Sequence, residues 1–270
     1  MRRFVATRTG PVAAAVVLLV LGLAVFSPWL AGDPFDGGGD ALLHPGSAGH
    51  VLGTDDLGRD IWAQLAWGAR VSMLVGIVTA AIGLMIGIAV GAAAGYAGGW
   101  MDAVLMRIGE FFQTLPRFVL ALIAVALFGP GLERVIVVIA LLSWPQTARV
   151  VRSLFAGLRH AAYVDAARVG GMSGWRIALS EILPNVLAPV IVIGSLDIAT
   201  AILLEAGLGF FGLGDPDRVS WGSMLNGAQQ YLRSAWWMAA FPGLAIAVTV
   251  LGFNMLGDAL NQALDPRGRG

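Results

Sequence analysis

Long apolar segments constrain this chain more strongly than any other feature of its sequence. A bilayer offers bare backbone groups no hydrogen-bond partners, so a chain crosses it as a helix of about 20 apolar residues. The sequence contains about six such segments, in a chain that is 57% hydrophobic and only 13% charged. Soluble domains average about 45–50% apolar and about 25% charged residues. An all-α polytopic membrane protein with about six transmembrane helices is therefore predicted.

The predicted spans cover approximately residues 12–30, 71–94, 102–128, 135–151, 184–204 and 236–257. Pro116 falls inside the third span, and we expect Trp144-Pro145 to interrupt the fourth, because proline removes a helical hydrogen bond. We divide the chain into an N-terminal tail with the first span (1–30), an extracytoplasmic segment (31–70) and a core with five spans (71–270). The most basic loop of that core lies at about 159–184.

The first apolar segment follows Arg2, Arg3 and Arg8, a pattern that also starts cleaved signal peptides. The segment is long for a signal peptide, no clear small-residue cleavage site follows it, and further spans come after it. We therefore favour an uncleaved signal-anchor helix.

Arginines set the predicted orientation, because basic residues concentrate on the cytoplasmic side of a membrane protein. An N-in/C-in arrangement places most loop arginines inside, whereas the opposite orientation would invert that bias. The inside set is Arg2, Arg3, Arg8, Arg149, Arg152, Arg159, Arg168, Arg176, Arg267 and Arg269, and the outside set is Arg59, Arg70, Arg134, Arg218 and Arg233.

The missing residue types exclude several functions. All 17 basic residues are arginine, so neither a P-loop of the GxxxxGK[ST] type nor a Schiff-base lysine is possible. Cysteine is absent, which removes disulfides and thiolate chemistry. The formal net charge is zero, which argues against nucleic acid as a partner. His44 and His50 lack further ligands and are interpreted as loop residues, so no metal site is predicted.

Four glycines of the second span, Gly83, Gly87, Gly91 and Gly95, repeat at intervals of four residues. Small residues at this interval clear one face of a helix, so that another helix backbone can approach closely. The pattern predicts a packing face. The helix that packs there belongs either to this chain or to another subunit.

The loop at 159–184 carries a small, weakly apolar helical face formed by Tyr163, Ala166, Ala167 and Gly170. Asp165 and Arg168 flank this face. Gly170-Gly171 is expected to end the helix, and Ser173 to cap a second short helix. A flat alanine face suits a groove on another protein, and an amphipathic helix on lipid headgroups is the alternative.

These residues resemble a known motif. Asp165-Ala166-Ala167, followed by Gly171 and Leu183-Pro184, is similar to the loop by which the permease subunits of binding-protein-dependent ABC importers dock onto their ATPase. Asp165 stands in place of the usual glutamate, and Glu181 in place of a frequent isoleucine. Further matches to the C-type permease of the dipeptide/oligopeptide/nickel branch lie at residues 53–60, 95–102, 205–214, 220–225 and 258–267.

The resemblance implies a type I permease fold in the bacterial plasma (inner) membrane, with a coupling helix formed by Tyr163, Asp165, Ala166, Ala167, Gly170 and Gly171. It implies a homologous second permease subunit, two ATPase subunits (or one fused ATPase) that bind ATP and Mg, and an extracytoplasmic substrate-binding protein. This chain itself would carry no cofactor and no catalytic residue. Peptide is the implied cargo, with nickel, glutathione or another small solute as alternatives.

Charged or polar side chains inside spans are costly and mark candidate functional positions. Asp197 is interpreted either as a wall of the translocation pathway or as a carboxyl group hydrogen-bonded to Ser195, Thr200 or a neighbouring helix. Glu205 is a candidate for the outer gate, and Asn254 for a bond across helices.

On the outer side, the segment at 53–60 and the loop at 215–234 are candidates for contact with the binding protein. Asp55, Asp56, Arg59 and Trp221 are the residues proposed for this contact. The spacing of Trp221, Leu225 and Leu232 predicts a short amphipathic helix in the outer loop. A secondary transporter or channel, and more remotely an intramembrane enzyme, are the other classes that would be polytopic.

Overall fold

The computed structural model describes residues 9–47 and 49–264. Arg2, Arg3, Arg8, Arg267 and Arg269, on which part of the predicted orientation depends, lie outside the described residues. The described chain is helical apart from turns and two isolated bridges, Ser47 with His50 and Thr54 with Asp60. The all-α prediction is confirmed.

The helices are α1 (Thr9–Leu30), α2 (Ile61–Ala97), α3 (Gly99–Thr114), α4 (Arg117–Phe128), α5 (Leu132–Leu158), α6 (Ala162–Val169), α7 (Gly174–Arg176), α8 (Leu183–Phe210), α9 (Trp221–Ala228) and α10 (Trp237–Leu264). A π-helical turn at Ile177–Ile182 joins α7 to α8, and a 3₁₀ turn at Gln229–Tyr231 follows α9. Five helical segments are long and apolar enough to cross a membrane, and the bent pair α3–α4 makes up to six. The predicted number of spans is confirmed.

Helix α2 begins ten residues before the predicted second span. Asp60 caps it, because its carboxylate accepts a hydrogen bond from the backbone N–H of Ala63 at 3.3 Å. At 1.5 Å per residue, the 37 residues of α2 reach roughly 55 Å, well beyond a hydrocarbon core of about 30 Å. Part of α2 therefore extends beyond the hydrocarbon core.

The third span is two helices bent by 84°, whereas the sequence predicted one segment with a proline inside it. Leu115 adopts an extended backbone conformation, φ −105° and ψ 147°. The following residue, Pro116, disfavours the α conformation at the residue before it, which explains why α3 ends here. The break gives this span an exposed corner at residues 114–116.

The predicted interruption of the fourth span at Trp144-Pro145 is wrong. Helix α5 runs without a break from Leu132 to Leu158. Trp144 and Pro145 are buried, and both lie close to Gly109 of α3. Packing on both sides of the proline holds the helix together despite the missing backbone hydrogen bond.

The glycine ladder of α2 packs against α5, so its partner helix belongs to this chain. A Cβ atom added at Gly87 would lie 2.6 Å from Cβ of Thr147. One added at Gly91 would lie 2.5 Å from the carbonyl oxygen of Ala148. The two backbones approach closely because glycine leaves this face of α2 without side chains.

Candidate functional site

Helix α6, the predicted coupling helix, is anchored by one side chain. Val164 is completely buried, in a cluster that includes Phe155 of α5 and Ile177 and Ile182 of the π-helical turn. Val164 thus ties the short helix to the ends of two spans, α5 and α8. A displacement of α6 must therefore move those spans or break this cluster.

The remaining residues of α6 divide between two environments. Tyr163, Asp165 and Ala166 are exposed, whereas Ala167 is half-buried against the cluster that holds Val164. Asp165 accepts a hydrogen bond from Arg168 at 2.8 Å, so that the two charged side chains that flank the small face pair with each other. The exposed face available to a partner is therefore formed by Tyr163 and Ala166 and does not include most of Ala167.

A glycine elbow ends α6. The backbone N–H of Gly170 donates to Ala166 at 2.9 Å, and that of Gly171 to Arg168 at 3.1 Å. Gly171 has φ +81°, in the region that favours glycine, whereas Gly170 has φ −68°. Ser173 occupies the cap position of the next helix, but its side chain makes no capping hydrogen bond, which corrects the predicted role of that hydroxyl.

Sequence reasoning missed two large exposed apolar residues near the end of α6. Val169 is 91% exposed and Trp175 is 70% exposed, on either side of the glycine elbow. Large exposed apolar side chains that form a patch are typical of protein interaction sites. The sequence does contain a signal for Val169. Helix α6 holds two valines, and one of them, Val164, suffices to anchor so short a helix, so that the other can be exposed.

Asp197 lies at the middle of α8, is 7% exposed, and accepts a hydrogen bond from the hydroxyl of Thr147 on α5 at 3.2 Å. Ser195 and Thr200 donate to carbonyl groups of their own helix instead. The geometry corresponds to the interpretation in which a neighbouring helix satisfies the Asp197 carboxyl group.

Glu205 is also buried, with the hydroxyl of Ser72 on α2 donating to it at 3.0 Å. The side chain joins α8 to α2 near the outer end of the bundle. Asn254 is half-buried on α10. Among the described residues, neither Glu205 nor Asn254 forms a hydrogen bond with Asp197.

On the outer side, Asp55 organises the segment at 53–60. Its carboxylate accepts hydrogen bonds from the backbone of Leu57 and Arg59, from the Arg59 guanidinium at 2.7 Å and from Gln64 at 2.8 Å. Trp221 is 1% exposed and donates to the carbonyl of Leu65. Burial gives Asp55 and Trp221 internal structural roles, which corrects their proposed contact with a separate protein.

Asp56 and Arg59 remain partly accessible on this outer surface. The predicted short helix in the outer loop is present as α9, with a capping box between Ser220 and Ser223. It packs closely into the bundle, because a Cβ atom at Gly222 would lie 2.6 Å from the carbonyl oxygen of Ala206. Asp56 and Arg59 are therefore the members of the predicted outer contact that a partner can reach.

Taken together, the helical bundle and the exposed helix–elbow–helix between α5 and α8 define a multi-pass membrane protein with a short exposed helical segment between two spans. The chain belongs to the family of binding-protein-dependent transport system inner membrane components, whose sequence profile matches residues 83–270. The resemblance found in the sequence is thereby confirmed, and with it the assignment to the bacterial inner membrane as a permease subunit of an ABC importer.

Curated relatives cover nearly the whole chain. The dipeptide transport system permease protein DppC of Escherichia coli (strain K12) is 44% identical over 259 residues, 93% of this chain and 86% of the relative. DppC of Alkalihalophilus pseudofirmus is 40% identical over 247 residues, 91% of this chain and 81% of the relative. The di/tripeptide transport system permease protein DppC of Pseudomonas aeruginosa is 40% identical over 259 residues, 93% and 86% of the two chains.

Proposed function

We propose that this chain forms half of the translocation pathway of an ATP-driven importer of dipeptides or oligopeptides. The 44% identity to a dipeptide permease over 93% of the chain supports the peptide cargo. The exposed face of Tyr163 and Ala166, held on the buried anchor Val164, supports coupling through α6. Nickel, glutathione or another small solute remains the alternative cargo, which an uptake assay distinguishes.

The complete transporter in this proposal contains a homologous second permease, two ATPase subunits or one fused ATPase, and a substrate-binding protein outside. ATP and Mg bind to the ATPase subunits, and this chain holds no cofactor. The orientation is N-in/C-in, so α6 faces the cytoplasm. Asp56 and Arg59 are the proposed contacts for the binding protein.

Mechanically, closure of the ATPase dimer pushes on α6. Val164 transfers this displacement to Phe155 at the end of α5 and to the π-helical turn before α8. Two spans then move together, and the pathway changes between inward- and outward-facing states. ATP and cargo drive the cycle because each binds the two states with different affinity.

The experiment measures ATP-dependent peptide uptake by proteoliposomes that contain the full complex and its binding protein. Ala166→Glu places a charge on the exposed face of α6 and should lower uptake at least about tenfold, the effect of a loss of ~1.4 kcal/mol at an interface. Ala166 is chosen over Ala167 because Ala167 also packs inside this chain.

Two controls isolate the effect. Ala166→Ser keeps the side chain small and should retain most of the uptake. Ala41→Glu adds the same charge at an exposed turn of the outer segment and should leave uptake unchanged. Wild-type uptake with Ala166→Glu would contradict the coupling role of this face.

A further inference from the structure

A polar strip runs along α5 from the midpoint of that helix toward α6. Gln146 stands near the midpoint of the 27-residue helix α5. Arg117, the first residue of α4 after the break at Pro116, donates a hydrogen bond to the Gln146 side chain at 2.8 Å. The break in this span thus places a guanidinium group beside the midpoint of α5.

The strip continues from there toward the coupling segment. Arg149, one turn further along α5, is exposed and donates to Gln113 of α3. Below it, a cleft of about 560 Å³ opens between α3 and α5, lined in part by Asp102, Glu110 and Arg152. This volume lies within the range of sites for small ligands, roughly 300–1,000 Å³.

Positive charge dominates this surface. The two carboxylates each have an arginine partner, Asp102 with Arg152 at 2.9 Å and Glu110 with Arg107 at 3.2 Å. Among residues 9–47 and 49–264, Arg117 and Arg149 form no ion pair within 4.0 Å and contact neutral glutamine oxygens instead. Arg117 and Arg149 therefore have no carboxylate in direct contact, although the charge of Asp197 acts on Arg117 from a longer distance.

Lipid cannot cover this strip, because a charge at the centre of a spanning helix costs about 2.5–3.5 kcal/mol on insertion scales. On the Gln146 face of α5, the preceding residues Ile139 and Leu142 are buried in the bundle, whereas Gln146 and Arg149 are exposed. This face therefore changes at Gln146 from buried and apolar to exposed and polar.

On the basis of the proposed function, we propose that Arg117 and Arg149 form a recognition site for the carboxylate end of a peptide as it passes through the inner half of the pathway. Guanidinium groups bind carboxylates with two parallel, charge-assisted hydrogen bonds. Gln146 and Gln113 orient the two groups without neutralising them. The site is thus kept cationic for an incoming anion.

The test uses the absence of cysteine from this chain. Single cysteines are introduced beside each arginine, as Ser153→Cys one turn from Arg149 and Thr114→Cys near Arg117, both at exposed positions. The assembled complex, without its binding protein, is treated from the cytoplasmic side with anionic and cationic methanethiosulfonates. Labelling rates of this chain are normalised to the rates of the reagents with a free thiol.

The anionic reagent should react at least about fivefold faster than the cationic one, because an unscreened nearby charge contributes about 1 kcal/mol or more. Arg149→Gln should bring the ratio at Ser153→Cys close to one. Arg134→Gln is the matched control, since Arg134 lies at the outer end of the same helix, where it donates to the carbonyl of Pro130. A free dipeptide should slow labelling, and its C-terminal amide should not.

Equal rates for the two reagents would overturn the proposal, as would equal protection by the dipeptide and its amide. Cysteines that react in the isolated subunit but not in the complex would place the strip against the second permease, which also overturns it. None of these outcomes depends on transport. Failure of the wild-type complex to take up any peptide would instead overturn the proposed cargo.

Discussion

Asp197 illustrates, at the scale of single residues, how this chain keeps a carboxyl group in the middle of a membrane. The group is buried, and the Thr147 hydroxyl of another helix provides its hydrogen bond. Glu205 and Ser72 form a similar pair nearer the outer surface. Both pairs join α8 to helices that are distant in sequence, so they contribute to the specific packing of the bundle as well as to solvation.

Thr147→Val should destabilise the complex by about 1–3 kcal/mol, because it leaves a buried acceptor without its donor. The measurement is the midpoint of thermal unfolding in detergent. Thr200→Val is the control, since the Thr200 hydroxyl is exposed and donates only to the carbonyl of Leu196 on its own helix. An equal shift in both variants would contradict a specific role for the Thr147–Asp197 hydrogen bond.

The same residues show where sequence reasoning stops. Asp197 stands out in the sequence because it is charged within an apolar segment, but its partner is 50 residues away along the chain. The sequence therefore leaves two interpretations open, and the Thr147 partner becomes visible only once the fold has brought α5 beside α8. Trp221 is the converse case, since its place in a polar outer loop suggested exposure, whereas Gly68 of α2 leaves room for its ring inside the bundle.

At the scale of elements, the coupling segment depends on its backbone as much as on its side chains. Helix α6 has only eight residues, too few for a stable helix in isolation. Its buried anchor and the glycine elbow hold it in place. The π-helical turn before α8 adds a second irregular element next to it, a feature that often occurs at functional sites.

Gly171→Ala should disturb the elbow, because φ +81° costs a residue with a Cβ atom about 1–2 kcal/mol. We expect less ATPase to copurify with this variant than with the wild type. Gly170→Ala is the matched control at the adjacent position, where φ is −68°. If both variants retain the ATPase equally, the left-handed turn is not required for docking.

The glycine ladder of α2 shows that a local sequence pattern can predict a packing face but cannot identify the helix that packs against it. The interval of four residues predicts a packing face without any knowledge of the fold. Whether α5 of this chain or a helix of another subunit lies there depends on the path of the whole chain. For the same reason, the continuous helix at Pro145 was not predictable, because packing from α2 and α3 compensates for the proline.

At the scale of the whole molecule, the bundle presents two different ends and one cationic face. The outer end is closed by the Asp55-centred segment and α9. The other end carries α6 and the exposed side chains of Val169 and Trp175. This asymmetry suits a subunit that meets one partner on each side of a membrane.

The N-in/C-in orientation predicts a clear pattern of accessibility. In intact cells, a membrane-impermeant thiol reagent should label Ala41→Cys in the outer segment and should leave Ser173→Cys in the coupling segment unlabelled. Permeabilisation should expose Ser173→Cys, because this residue would then face a reachable cytoplasmic side. Labelling of Ser173→Cys in intact cells would reverse the orientation and remove α6 from contact with a cytoplasmic ATPase.

The number of spans, the all-helical class and the family follow from the order of residues along the chain. Apolar length, glycine spacing and the Asp165-Ala166-Ala167 motif are local properties, which need no folding to be recognised. Contacts between distant segments decide which polar groups pair inside the bundle and which face of α6 is free. They also bring Arg117 to Gln146 and Arg149 to Gln113. Packing creates those contacts, because a side chain becomes buried or accessible only when its neighbours are in place.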